Sequence, residues 1–208
     1  MKKNLTFAAV ILAAGMSSRM GKPKQLLKVL GKSMLEHSIA AARGAGIVSP
    51  VVVLGAFADD IVRDVKIVRK CEIIFNKDFM EGQATSLRVG VRAVAGKCEA
   101  AIFMLTDQPL IEATLITELM DQFSHYKPDI LYPVYKQQRG NPVIINARLF
   151  PRLMTSSGDQ GARFLFTDKS LTIRAYEVEN KAVITDVDTW HDYLQLLQSP
   201  HDASHRRE

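Results

Sequence analysis

Apolar positions in the first two thirds of this chain fall into short runs separated by amphipathic stretches. Residues 7–12, 51–54, 72–75 and 100–105 are the runs, bounded mostly by Gly or turn residues. Runs of this length predict strands, the most continuous of them buried on both faces. Between the first two, Met34, Leu35, Ser38, Ile39 and Ala42 recur at helical spacing and stop at Gly44, Ala45 and Gly46. Ser33, with Glu36 three positions on, predicts a capping box at the start of that helix. Leu87, Val91 and Val94 mark a second helix over residues 82–95, closed by Gly96. Residues 58–65 and 112–123 read as further helices, and 130–134 as a strand. Beyond that the rhythm changes to short strands at 143–145, 171–176 and 182–184, a polar turn at 155–161 and a last helix at 189–197. Strand and helix alternate for most of the chain, which predicts an α/β fold with a mainly parallel central sheet.

Sheets of this kind bind ligands at the carboxyl ends of their strands. Two segments stand out there. The first strand empties into Gly15, Met16, Ser17, Ser18, Arg19, Met20, Gly21, Lys22, Pro23 and Lys24. Gly lets backbone N–H groups approach an anion closely, and Arg and Lys neutralise it. This is the composition a polyphosphate loop needs. No GxGxxG follows the strand, which removes the dinucleotide fingerprint. Gly31, Lys32 and Ser33 imitate the tail of a P-loop, but Leu26 stands where that loop requires Gly. The 100–105 run ends in Thr106, Asp107, Gln108 and Pro109. Asp at such a place is commonly a turn or cap residue. On the same edge as a phosphate loop, Asp107 becomes a candidate Mg²⁺ ligand, since that ion takes one or two carboxylates and fills its octahedron with phosphates and water.

Asp186 and Asp188 alternate along an extended segment and so share a face. Either is a candidate second metal ligand, while Asp188 or Thr189 also suits the cap of the last helix. Lys22 and Lys24 flank Pro23, and Arg19 can grip two phosphate oxygens at once. Ser17 and Ser18 have neither a positioned His nor a nucleophile elbow, so they read as phosphate hydrogen-bonders or turn formers. His37 and His191 lack metal-ligand spacing and read as structural.

Charge narrows the partners. The formal net charge of +5 is dispersed, without the basic stripe and interleaved aromatics that nucleic acid needs, and an anionic small molecule suits it better. Cys71 and Cys98 form no metal or redox spacing and are expected as free thiols in a reducing cytoplasm. Met1, Lys2 and Lys3 before an apolar run mimic a secretion signal, but the run continues straight into the glycine-rich loop. No apolar stretch has the length of a membrane span.

Leu12, Ala13, Ala14 and Gly15, with Arg19, Gly21 and Lys24, resemble the signature of nucleotidyltransferases with a Rossmann-like sheet. Asp107-Gln108-Pro109, Arg139-Gly140-Asn141-Pro142, the 158–163 segment and Asp186-Val187-Asp188-Thr189 are together similar to the molybdenum cofactor cytidylyltransferase family. The resemblance covers about residues 10–197. It implies a three-layer Rossmann-like α/β domain over 1–198, with a nucleotide-binding part at about 5–110 and an acceptor-binding part at about 111–198. Residues 199–208 are expected to be a disordered tail.

The activity implied is transfer of CMP from CTP to a molybdopterin-type cofactor, with Mg²⁺ or Mn²⁺ and release of pyrophosphate, and with a molybdoenzyme as a further partner. By the same resemblance Arg19, Lys24 and Asp107 are catalytic. Leu12, Ala13, Ala14, Gly15, Ser17, Ser18, Arg19, Lys24, Gly82, Ser86 and Asp107 would line the nucleotide. Arg139, Gly140, Asn141, Pro142, Gly161 and Arg163 would face the acceptor, and Asp107 with Asp188 (or Asp186) would hold the metal. Ala13-Ala14-Gly15 is similar to the form used with cytosine, whereas guanylyl relatives tend to carry Ala-Gly-Gly. The chain departs from the family at Thr106, usually Gly, at Asn141, often His, and at Trp190-His191, usually Pro-Glu. Alternatives are guanylyl transfer, a sugar or alcohol phosphate acceptor, and a non-catalytic carrier of the cofactor.

Overall fold

The structure is a computed structural model that describes residues 5–198. Strands β1 (Phe7–Ala13), β4 (Val51–Leu54), β5 (Glu72–Phe75) and β6 (Ala100–Leu105) form the parallel half of one sheet. The other half holds β7 (Ile130–Tyr135), β8 (Gln138–Arg139), β9 (Val143–Asn146) and β10 (Ile173–Glu177). The order is β10-β7-β9-β6-β1-β4-β5, with β8 against β7. The single strand β9 runs antiparallel to both β6 and β7 and joins the halves. A two-stranded hairpin, β2 (Lys28–Val29) and β3 (Lys32–Ser33), stands apart.

Helices cover both faces. On one lie α1 (Met34–Gly44), α2 (Ala58–Asp64) and α4 (Ala113–Tyr126). Their Leu35, Ile39, Ile61, Ile116 and Phe123 pack on Ile11, Val52 and Ile102. On the other lie α3 (Gln83–Val94) and α5 (Phe150–Leu153), where Leu87, Val91 and Leu153 meet Val10, Val53 and Ala101. The period-two alternation of β1 thus feeds two cores, which makes the three layers. The final helix, α6 (Trp190–Gln198), packs Leu196 with Val187, Val29 and Met34 beside the hairpin.

The Ser33 cap forms as its spacing predicts: the Ser33 hydroxyl accepts from the Glu36 N–H, and the Glu36 carboxylate accepts from the Ser33 N–H. One expected strand does not exist. Residues 182–184 lie in a 3₁₀ turn, Lys181–Ile184. The Asn180 side chain accepts from the Ala182 N–H and starts the turn, and the Thr185 hydroxyl donates to the Lys181 carbonyl. These local side-chain bonds compete with a sheet ladder for the backbone. The Val183 carbonyl instead takes the Asn141 N–H (2.9 Å) and the Gln108 amide (3.2 Å). The amphipathic helix after Asp107 runs past Phe123 to Tyr126, where Lys127 turns left-handed (φ 49°). The hairpin at 28–33 and the short α5 carry no periodic apolar pattern and were not legible beforehand. The expected tail, 199–208, lies outside the described residues.

Candidate active site

β1 and β6 are neighbours in register, with Leu12 opposite Leu105, so the segments that follow them emerge side by side. The Thr106 hydroxyl donates to the Leu12 carbonyl (3.0 Å) and ties the two strand ends together. Ala13 and Ala14 are buried, and Gly15 opens the exposed loop. Gln25 organises that loop. It is buried, and its amide donates to the Ala13 carbonyl (3.0 Å) and the Gly15 carbonyl (2.9 Å). Ser17 sits at φ 51°, donates its hydroxyl to Gln25 (3.4 Å) and accepts the Lys24 N–H (3.1 Å). Its oxygen is therefore used in the turn itself, while Ser18 stands exposed.

Lys24 is the centre of the site. Its Nζ donates to Asp107 Oδ2 (2.9 Å), Asp188 Oδ1 (2.8 Å) and the Val187 carbonyl (3.4 Å). The lysine side chain is only 14% exposed, and Arg19, at 68%, meets the other Asp188 oxygen at 3.2 Å. Burial on its own lowers the pKa of an ammonium group, but the Asp107 and Asp188 carboxylates outweigh it and hold that of Lys24 above the ordinary lysine value. Burial raises the Asp188 carboxyl, yet Lys24 and Arg19 pull it below the usual range.

The cap and the site divide the 186–189 segment between them. Thr189 caps α6: its hydroxyl accepts the Asp192 N–H (3.2 Å), and the Asp192 carboxylate takes the Thr189 N–H (2.8 Å) and the Asp188 N–H (3.1 Å). The Asp188 side chain stays free for Lys24 and Arg19. Asp186 has a different partner, accepting from the Gln108 amide (2.6 Å). Its pKa is raised, by desolvation first and then by the charge of Asp107. The Trp190 indole N–H donates to the Met20 carbonyl (3.0 Å), so the departure at Trp190 pins α6 to the loop. His37 bonds the Val29 carbonyl (2.6 Å), a structural contact.

No cluster of three or more His, Cys, Asp or Glu with metal-holding geometry occurs among the described residues. Two carboxylates are enough for a Mg²⁺ ion that shares phosphates and water. The donor set fits such an ion. Asp107 Oδ1 is buried with no hydrogen-bond partner among the described residues, and an unpaired carboxylate oxygen of this kind suits a cation. Asp107 and Asp188 are the residues that would hold it.

A cavity of about 250 Å³ is lined by Leu12, Gln83, Arg139, Asn141, Arg163 and Asp186, among others. It therefore joins the ends of the parallel strands to the residues expected on the acceptor side. The Arg139 guanidinium lies 4.2 Å from the Phe166 ring centre, a stacking partner not foreseen in the sequence. Gly140 is tightly enclosed: a Cβ there would come within 2.5 Å of the Val183 carbonyl oxygen. The Asn141–Pro142 peptide bond is cis. Gly82 (φ 106°) precedes α3, and Asp159 caps that helix by accepting the Gln83 N–H (3.1 Å). The Ser86 hydroxyl is buried and accepts from the Asn76 amide (2.9 Å), so it braces the strand-to-helix connection. Gly161 and Arg163 begin the turn that closes the cavity. A larger open groove, about 870 Å³, lies between α1 and α6, and shares only Asp186 with this cavity.

The chain resembles known proteins in fold and in sequence. The fold superposes on Rv0371c of Mycobacterium tuberculosis with a TM-score of 0.86 and 29% identity, over 95% of this chain and 100% of that one. The manganese complex of Rv0371c aligns with a TM-score of 0.81 and 28% identity, over 93% and 99% of the two chains. The bifunctional protein GlmU of Xanthobacter autotrophicus is 35% identical over 105 residues, 49% of this chain and 23% of GlmU. The chain thus spans less than a quarter of that relative's length. The MobA-like NTP transferase domain matches residues 9–174, and the chain belongs to that family, within the nucleotidyltransferases.

Proposed function

We propose that the protein transfers CMP from CTP to the terminal phosphate of a molybdopterin-type cofactor, releasing pyrophosphate, in the reducing cytoplasm. The observation that carries nucleotidyl transfer is the Lys24–Asp107–Asp188 cluster beside the paired ends of β1 and β6, whose Leu12 and Leu105 also line a cavity with Arg139 and Arg163. An oxygen of the acceptor phosphate attacks the α-phosphorus in line, and the bond to the pyrophosphate oxygen breaks. Such transfers leave the protein mainly positioning and charge stabilisation to do. Arg19 and Lys24 bind the triphosphate, the glycine-rich loop orients it, and Arg139 and Arg163 hold the acceptor's anion. Mg²⁺ or Mn²⁺ held by Asp107 and Asp188 supplies neutralisation of the phosphates. The manganese complex of Rv0371c supports a divalent ion. The choice of cytosine rests on Ala13-Ala14-Gly15.

A second reading, transfer to a smaller sugar or alcohol phosphate, is favoured by the size of the acceptor cavity. At about 250 Å³ it falls just below the usual size of ligand sites, which run from roughly 300 Å³ upward. Pyrophosphate release assayed with each NTP, with molybdopterin cofactor or with sugar phosphates, separates the two. Turnover with CTP that requires the molybdopterin acceptor is the expected result, and turnover with CTP and a sugar phosphate alone overturns it.

A further inference from the structure

We propose that the Lys24 ammonium group is the resting occupant of the metal position, and that a divalent cation enters as Lys24 is drawn off to the triphosphate. The inference rests on the assignment of Asp107 and Asp188 as the metal pair. Three N–H groups of the ammonium face three acceptors: Asp107 Oδ2 at 2.9 Å, Asp188 Oδ1 at 2.8 Å and the Val187 carbonyl at 3.4 Å. A Mg²⁺ ion held by the same two carboxylates would need their oxygens at about 2.0–2.1 Å. It must take the ammonium's space or face its charge across one pair of oxygens. Lysine and metal therefore compete.

Counting charge leads to the same place. Two carboxylates, Asp107 and Asp188, are ion-paired with two side-chain cations, Lys24 and Arg19, and the Asp186 and Asp192 carboxylates act on the group from nearby. A divalent ion beside the Lys24 ammonium leaves a local excess of positive charge in a half-buried site, where repulsion is screened less than on the surface. A triphosphate removes the excess and offers the ammonium new acceptors. Metal and nucleotide thus favour each other's binding, and reciprocity requires the coupling to be equal in both directions.

The surroundings permit the exchange. The lysine's base is fixed, since its N–H is held by Ser17 and the adjoining Gln25 is bonded to Ala13 and Gly15. Its head rides on four flexible methylenes. Asp107 Oδ1, buried and unpartnered, is the part of the site the ammonium does not satisfy.

The test measures Mn²⁺ binding by electron paramagnetic resonance, without nucleotide, to the wild type and to Lys24→Met. The variant is expected to bind Mn²⁺ about tenfold more tightly, in the usual range of coupling between sites. Equal or weaker binding overturns the proposal. Amine labelling of the wild type, read by mass spectrometry, does not depend on the variant folding. Saturating Mn²⁺ is expected to raise Lys24 labelling several-fold while Lys97, paired with Glu72 on the surface, stays unchanged. Unchanged Lys24 labelling overturns the exchange. If neither protein binds Mn²⁺ even with CTP present, the metal assignment itself falls, and the proposal with it. Metal binding that is indifferent to Lys24 leaves the assignment standing and removes the exchange alone.

Discussion

The two halves of the candidate site treat their charged side chains differently. At the ends of the parallel strands, Lys24, Asp107 and Asp188 are paired with one another and partly buried, and the exposed Arg19 joins them through Asp188. Around the antiparallel strand β9, Arg139 and Arg163 stand exposed at the rim of a cavity, one of them stacked on Phe166. The first region gathers its charges into one ion-pair cluster, and the second presents its guanidinium groups to solvent. Chemistry that depends on directed charge belongs where charged groups of both signs already share one site. Recognition of a variable acceptor belongs where side chains are free to adapt.

The largest expected effect comes from breaking the assembled half. Asp107→Ala removes the carboxylate shared by Lys24 and the proposed metal, and kcat for pyrophosphate release should fall by about 10²–10³-fold. A fall below tenfold would return Asp107 to the role of a turn residue. Next is a packing test in the other half. Gly140→Ala puts a methyl group 2.5 Å from the Val183 carbonyl oxygen and 2.7 Å from Val183 Cβ. It should destabilise the fold by about 1–3 kcal/mol, as overpacking does. Thermal unfolding measures that loss, while the upward shift of the midpoint by CTP is expected to persist.

Smaller still is Arg139→Ala. It should raise KM for the acceptor about tenfold, the worth of roughly 1.4 kcal/mol, and leave KM for CTP unchanged. Equal changes in both would erase the division between the halves. The smallest effect concerns Asp186, on the border between them. Its carboxyl pKa in the fold is raised above 3.8 by desolvation and by Asp107. The unfolded chain then loses this proton first as pH rises, so the ionised group lowers stability at neutral pH. Asp186→Asn keeps an oxygen for the Gln108 amide, and should raise the unfolding midpoint slightly at pH 7. The gain should vanish once pH falls below about 3.8, where the aspartate is protonated in both states. A gain that persists in acid would show that charge is not its source.

Much of the molecule is readable from local pattern. The runs ending at Leu12 and Leu105, the Ser33–Glu36 box and the spacing of Leu87, Val91 and Val94 report buried strands, a cap and a helix face. Each is a consequence of chain periodicity and needs no distant partner. Residues 182–184 misled for the same reason: an apolar triplet is β-prone by composition, but Asn180 and Thr185 hold it in a turn.

The site divides along the same line. Which residue types gather at one edge follows from the sequence, because a glycine-rich cationic loop and Asp107 each succeed a buried strand. What each does to its neighbour follows only from the tertiary structure. Gln25 became the brace of the loop, Trp190 its tie to α6, and Asp188, with Asp186 turned to Gln108, the partner of Lys24. Those contacts join residues up to 170 positions apart. Hydrogen bonds and ion pairs depend on distances of a few ångströms that sequence spacing does not encode across separate elements. The sequence by itself determined the fold class and the chemistry available at one edge. Tertiary packing decided which cation faces which carboxylate.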